Sequence, residues 1–196
     1  GAGHDLILGG DGDDLVDLNW EGAHEQPPGF VRPADLGRDT IDGGNGNDTI
    51  ELGRYIVQSA DIRGGAGNDV IAPVQWDQYP LAGLIVESRI DGGAGDDSIT
   101  GTSYASTILG GTGNDWIHVA ADSSHIDAGA GNDTVLIGSD SMGAGNTVVA
   151  GDGDDHVTGG DGVEAIQGGA GTDTLIGGRG ADRLNGGDGD DWIYAQ

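Results

Sequence analysis

Aliphatic residues recur along the chain at one fixed place in a nine-residue frame: Ile7, Val16, Ile41, Ile50, Ile62, Ile71, Ile90, Ile99, Ile108, Ile117, Ile126, Val135, Val148, Val157, Ile166, Leu175, Leu184 and Ile193. All but Leu175 and Leu184 are β-branched, which suits short strands that each turn one side chain into a shared core. Between these positions the chain is polar and rich in glycine. High glycine together with high charge would ordinarily indicate disorder or low complexity. A disordered chain has no reason to keep this register, so the pattern predicts a packed repeat array.

The repeat is visible in full as Gly43-Gly44-Asn45-Gly46-Asn47-Asp48-Thr49-Ile50-Glu51, the pattern Gly-Gly-x-Gly-x-Asp-x-aliphatic-x. It starts again at Gly9, Gly64, Gly92, Gly110, Gly168, Gly177 and Gly186, and in a form with alanine first at Ala128 and Ala150. Residues Gly1 to Leu8 fit positions two to nine of a further unit, so the chain is expected to be a fragment of a larger protein.

These units resemble the RTX, or hemolysin-type, calcium-binding nonapeptide repeats. The resemblance runs essentially end to end. It implies an all-β fold: a right-handed parallel β-roll in which six residues form a turn, three form a strand, and two repeats complete a coil. On that reading the chain is a single array of about nine coils over residues 1–196. The best-matching repeats then fall on one edge, called the regular edge, with position six occupied by Asp14, Asp48, Asp69, Asp97, Asp115, Asp133, Asp155, Asp173 and Asp191. On the other edge position six reads Asp5, Asp39, Ala60, Ser88, Ser106, Ser124, Asn146, Glu164 and Asp182. Insertions at residues 18–33, 52–61 and 73–87, with a small one near 137–140, fall on this second edge and leave residues 101–196 more regular.

Calcium takes six to eight oxygen ligands, and carboxylates with backbone carbonyls suit it better than they suit magnesium, which prefers octahedral geometry and retains waters. The expected ligand set is the nine regular-edge aspartates with the turn glycines at positions two and four: Gly10, Gly12, Gly44, Gly46, Gly65, Gly67, Gly93, Gly95, Gly111, Gly113, Gly129, Gly131, Gly151, Gly153, Gly169, Gly171, Gly187 and Gly189. Glycine there permits the backbone to turn successive carbonyls toward one point. A turn preference alone accounts for glycine but not for aspartate at one fixed place in every regular-edge turn. Adjacent turns would hold about eight ions between them. The serine-bearing turns of the second edge are expected to bind none, whereas Glu164 with Asp182, and Asp5 with Asp39, are candidates for one or two more.

Charge and composition narrow the partners. With 7 Lys+Arg against 34 Asp+Glu and a net charge of −27, no basic patch for nucleic acid can be assembled. There is no cysteine, hence no disulfide or thiolate metal site. The longest apolar stretch of note, Leu81 to Val86, is far below the ~18 residues of a membrane helix. His4, His24, His118, His125 and His156 have no metal-ligand spacing and are expected at the strand surface. No nucleophile elbow, zinc-protease motif or P-loop occurs, so no enzymatic activity is expected of this chain.

The expected function is therefore a calcium-binding structural module of a secreted or cell-surface bacterial protein. The resemblance implies unfolded export through type I secretion machinery and folding on extracellular calcium. Two alternatives stay open. One is an adhesin or surface-layer segment whose aromatic insertions, with Trp20, Phe30, Trp76 and Tyr79, contact a glycan or protein. The other is the C-terminal repeat part of a secreted protease, lipase or epimerase. An ice-binding surface is disfavoured, because position three of the regular edge (Asp11, Asn45, Ala66, Ala94, Thr112, Ala130, Asp152, Ala170, Asp188) carries no threonine ladder.

Overall fold

The computed structural model describes residues 4–18, 38–52, 57–73, 84–138 and 145–195. Among them every regular element is a β-strand, and every strand pairing is parallel. The strands stack into two sheets, one of nine strands and one of eleven, that face each other across a narrow interior. The chain is an all-β parallel solenoid.

One coil shows the design. Thr107–Thr112 is a strand of the first sheet, with Ile108 and Gly110 turned inward and Thr107 and Leu109 outward. Gly113, Asn114 and Asp115 form the regular-edge turn, and Trp116–Asp122 is the returning strand of the second sheet. Ser123 makes the far corner, and His125 begins the next strand of the first sheet, paired with Thr107. The inward aliphatic positions read from sequence become two continuous files, Ile41 through Ile166 on one sheet and Ile50 through Leu175 on the other, nearly all of them fully buried. Each such side chain contributes on the order of 1.5–3 kcal/mol by leaving water. The files run along the whole stack, so each coil is held mainly by its two neighbours.

The two edges differ more than the repeat pattern implies. Six-residue turns are absent from the middle of the second edge, where Gly101-Thr102-Ser103-Tyr104 and Val119-Ala120-Ala121-Asp122 continue the preceding strands instead. With side chains in place of the turn glycines, extended backbone is the lower-energy choice, and each strand gains a further inward row: Val57, Ile85, Ser103 and Ala121 are all buried. Two of these, Val57 and Ile85, lie within insertion ranges. Val57–Gln58 and Leu84–Val86 are strands of the second sheet, paired with each other and, through Leu84–Val86, with Ser98–Tyr104. Those stretches are sheet rather than loop. Trp20, Phe30, Tyr55, Trp76 and Tyr79 lie outside the described residues.

The second-edge corner is made by single residues of left-handed backbone: Ser59 (φ 56°), Glu87 (φ 48°), Ala105 (φ 48°) and Ser123 (φ 53°). Alanine there carries a steric cost of roughly 1–2 kcal/mol that asparagine largely escapes. Since Ala105 is exposed, Ala105→Asn should raise the stability of the folded chain by about 1 kcal/mol, measured as a higher urea midpoint.

Across the first sheet outside the core, Asp61 pairs with Arg63 and, at 3.4 Å, with Arg89, which also reaches Asp91 at 2.6 Å. Arg89 thus links the coils that follow the second and third insertions, while Arg63 pairs within its own strand. The described histidines His4, His118 and His125 are exposed, and His156 is half-buried on the outer face, as the register predicts.

Candidate metal centre

Each regular-edge turn is shaped by its glycines. Gly46 has φ 126°, a conformation closed to ordinary side chains, and a β-carbon added there would collide with the Gly12 carbonyl of the coil before. All the glycines predicted at positions two and four, from Gly10 to Gly189, share this left-handed backbone, with φ between 108° and 139°. Coils therefore approach closely only because both positions lack side chains.

This backbone turns the position-six aspartate inward. Asp48, Asp69, Asp97, Asp115, Asp133, Asp155 and Asp173 are at most 3% exposed. Their Oδ1 atoms form a ladder: the Asp48 N–H donates to Asp69 at 2.7 Å, Asp69 to Asp97 at 2.7 Å, Asp97 to Asp115 at 2.8 Å and Asp115 to Asp133 at 2.7 Å. It starts from Asp14, which donates to Asp48, and continues through Asp155 and Asp173 to Asp191 at the last turn. The structure thus brings all nine predicted aspartates into one file, one per coil.

The second oxygen of each carboxylate is the informative one. Oδ2 of Asp14, Asp48, Asp69, Asp97, Asp115, Asp133, Asp155 and Asp173 is buried and has no hydrogen-bond partner. A buried carboxylate oxygen without a donor is strongly unfavourable. The cost is registered in the ionisation: burial pushes Asp97 up to about 7 and Asp69, Asp133 and Asp155 up to about 6, from an ordinary 3.8, and raises Asp115 and Asp173 as well.

The second edge solves the same geometric problem with neutral groups. Ser88, Ser106 and Ser124 take the place of the aspartates. Ser106 Oγ accepts the N–H of Ser88 at 3.2 Å and donates to the Tyr104 carbonyl at 2.9 Å. Asn146 closes the series, accepting from the Ser124 N–H at 3.0 Å and donating through Nδ2 to the Ala121 carbonyl at 3.0 Å. A hydroxyl or amide both accepts and donates, so it completes the ladder unaided. A carboxylate only accepts. The comparison within one molecule isolates what the regular edge lacks: a positive partner for a file of inward oxygens.

A hard divalent cation fits that donor set, since it takes carboxylate and carbonyl oxygens together. Among the described residues no three His, Asp or Glu side chains converge, so the carboxylates would be supplemented by turn carbonyls. Toward the C-terminal end the second edge reverts to the regular-edge form. Gly178 and Gly180 have φ 89° and 127°, Glu164 is fully buried, and its N–H donates to Asp182 Oδ1 at 3.0 Å. At the other end Asp5 donates likewise to Asp39 at 2.8 Å.

Two features escape the sequence pattern. Position five carries a second ladder of opposite direction, in which Asn114 N–H donates to Asp96 and Asn132 N–H to Asn114, at 2.7 and 2.8 Å. The run of Asn and Asp before position six is its signal. Asp122, at the end of its strand, is buried with Oδ1 accepting from Ser123 Oγ at 3.1 Å, and nothing in the repeat marks it.

A family model for the RTX calcium-binding nonapeptide repeat matches residues 1–20, 34–54, 61–72, 91–125, 109–141, 142–175 and 167–196. Comparison with curated proteins and with solved structures gives no match. Because that model covers most of the chain, and the turns it describes are those that aim buried carboxylate oxygens along one edge, the chain belongs to the RTX calcium-binding nonapeptide repeat family.

Proposed function

We propose that this chain is the calcium-dependent folding module of an exported bacterial protein, with about eight ions along the regular edge and a further one between Glu164 and Asp182. The observation that carries the reading is the file of buried Oδ2 atoms without donors, set against the fully satisfied serine ladder on the opposite edge. When bound, calcium supplies the positive charge that the file needs. The chain's own part is to hold one carboxylate per coil by its Oδ1 ladder and to aim the other oxygen into the gap between coils.

Without that charge, aspartates about 4.8 Å apart repel one another and resist coiling. Binding free energy then becomes folding free energy. A chain with this property stays unfolded in a low-calcium cytosol, passes a type I secretion channel and coils outside the cell, with no catalytic activity of its own. Far-UV circular dichroism during a calcium titration tests the reading. The β signal should rise with calcium and disappear in excess chelator at pH 7.5, and a fully formed β signal in chelator would refute it.

A further inference from the structure

Position one of the regular-edge repeat is glycine in most coils, but Ala128 and Ala150 occupy it in two consecutive ones, and both are fully buried. The surroundings of this position are specific. A β-carbon added at Gly92 would lie 2.5 Å from Oδ2 of Asp97 in its own coil and 2.6 Å from the Gly110 carbonyl of the next. The same two kinds of atom, one carboxylate oxygen and one carbonyl oxygen from adjacent coils, come within 3.0 Å of the corresponding point at Gly43, Gly64, Gly110 and Gly168. Glycine at position one is thus what lets the orphaned carboxylate oxygen and the next coil's carbonyl draw together.

At Ala128 and Ala150 a methyl group has to be accommodated at the point that, in the glycine coils, the carboxylate oxygen and the next coil's carbonyl crowd from both sides. Oδ2 of Asp133 and Oδ2 of Asp155 remain buried without a donor. We infer that Ala128 and Ala150 weaken calcium binding at the two turns they begin, dividing the regular edge into an N-terminal block ending at Asp115 and a C-terminal block beginning at Asp173, joined by a centre of lower affinity. This rests on the calcium reading above. The two alanine coils also flank the small insertion near residues 137–140, so the weak centre coincides with a break in the regular spacing.

The test is a calcium titration at pH 7.5 followed through the backbone amides of Gly95, Gly131, Gly153 and Gly171, in the full chain and in the double variant Ala128→Gly with Ala150→Gly. The calcium midpoint at Gly131 and Gly153 should fall at least threefold in the double variant. If the coils fold all together, the shared midpoint should fall instead. Conversely, Gly92→Ala should raise the midpoint at Gly95. The added glycines cost chain entropy, so alanines with a purely structural role predict the opposite sign. A midpoint that stays put or rises in the double variant would overturn the inference. Absence of any calcium-dependent shift in either chain would overturn the calcium reading itself.

Discussion

Replacing Asp69, Asp97, Asp115 and Asp133 together by asparagine should allow the chain to coil in excess chelator, while removing calcium binding from the turns concerned. Asparagine keeps the acceptor that each ladder bond needs, because its Oδ1 can take the N–H of the preceding coil as the aspartate does. Its Nδ2 replaces the donorless oxygen with a donor. Asn146 already uses this arrangement on the second edge, accepting at 3.0 Å from one coil and donating at 3.0 Å to a carbonyl. The substitutions also remove like charges about 4.8 Å apart, worth about 1 kcal/mol per adjacent pair in water and about 3 kcal/mol at the effective dielectric of a protein. The expected result is a β-sheet circular dichroism signal in chelator where the parent chain gives none, and fewer ions bound per chain by calorimetry. A variant that stays unfolded in chelator would show that charge along the file is not what opposes coiling.

The core files were legible in sequence because a nine-residue period leaves little freedom: each aliphatic residue from Ile41 to Leu175 marks an inward position, and the structure buries them. The regular-edge turns were legible for the same reason, since Gly44 and Gly46 meet a backbone requirement no other residue satisfies as well. The second edge was not. Once Thr102, Ser103, Ala120 and Ala121 replace the turn glycines, the repeat frame still counts correctly but no longer specifies a turn, and the chain runs on as strand. Its corner rests on Ala105 and Ser123 in left-handed backbone, a conformation that side-chain identity does not announce. Likewise Ser106 could be read as the absence of a ligand, but its donor and acceptor roles depend on which carbonyl and which N–H the stacked coils bring to it.

Acid should substitute for calcium. With the regular-edge carboxylates raised by burial to about 7 at Asp97 and about 6 at Asp69, Asp133 and Asp155, the coiled chain binds protons that the unfolded chain, titrating near 3.8, releases. For a carboxyl raised on folding, stability is undiminished below the unfolded value, declines between the two values and stays low above the folded one. In excess chelator the chain is therefore expected to gain β structure as the pH is lowered from about 7 toward 4, the window set by these carboxyls. A protonated aspartate is also a donor, so each orphaned Oδ2 acquires the means to hydrogen-bond a neighbouring carbonyl, as Ser106 and Asn146 do on the other edge. Calcium added to the acid-coiled chain meets protons on the same oxygens, so binding to that state should release protons, detectable as a buffer-dependent binding enthalpy. The asparagine variant, having lost Asp69, Asp97 and Asp133 but kept Asp155, should show a weaker acid transition in chelator. An acid transition of equal size in parent and variant would place the pH response outside this file of carboxylates.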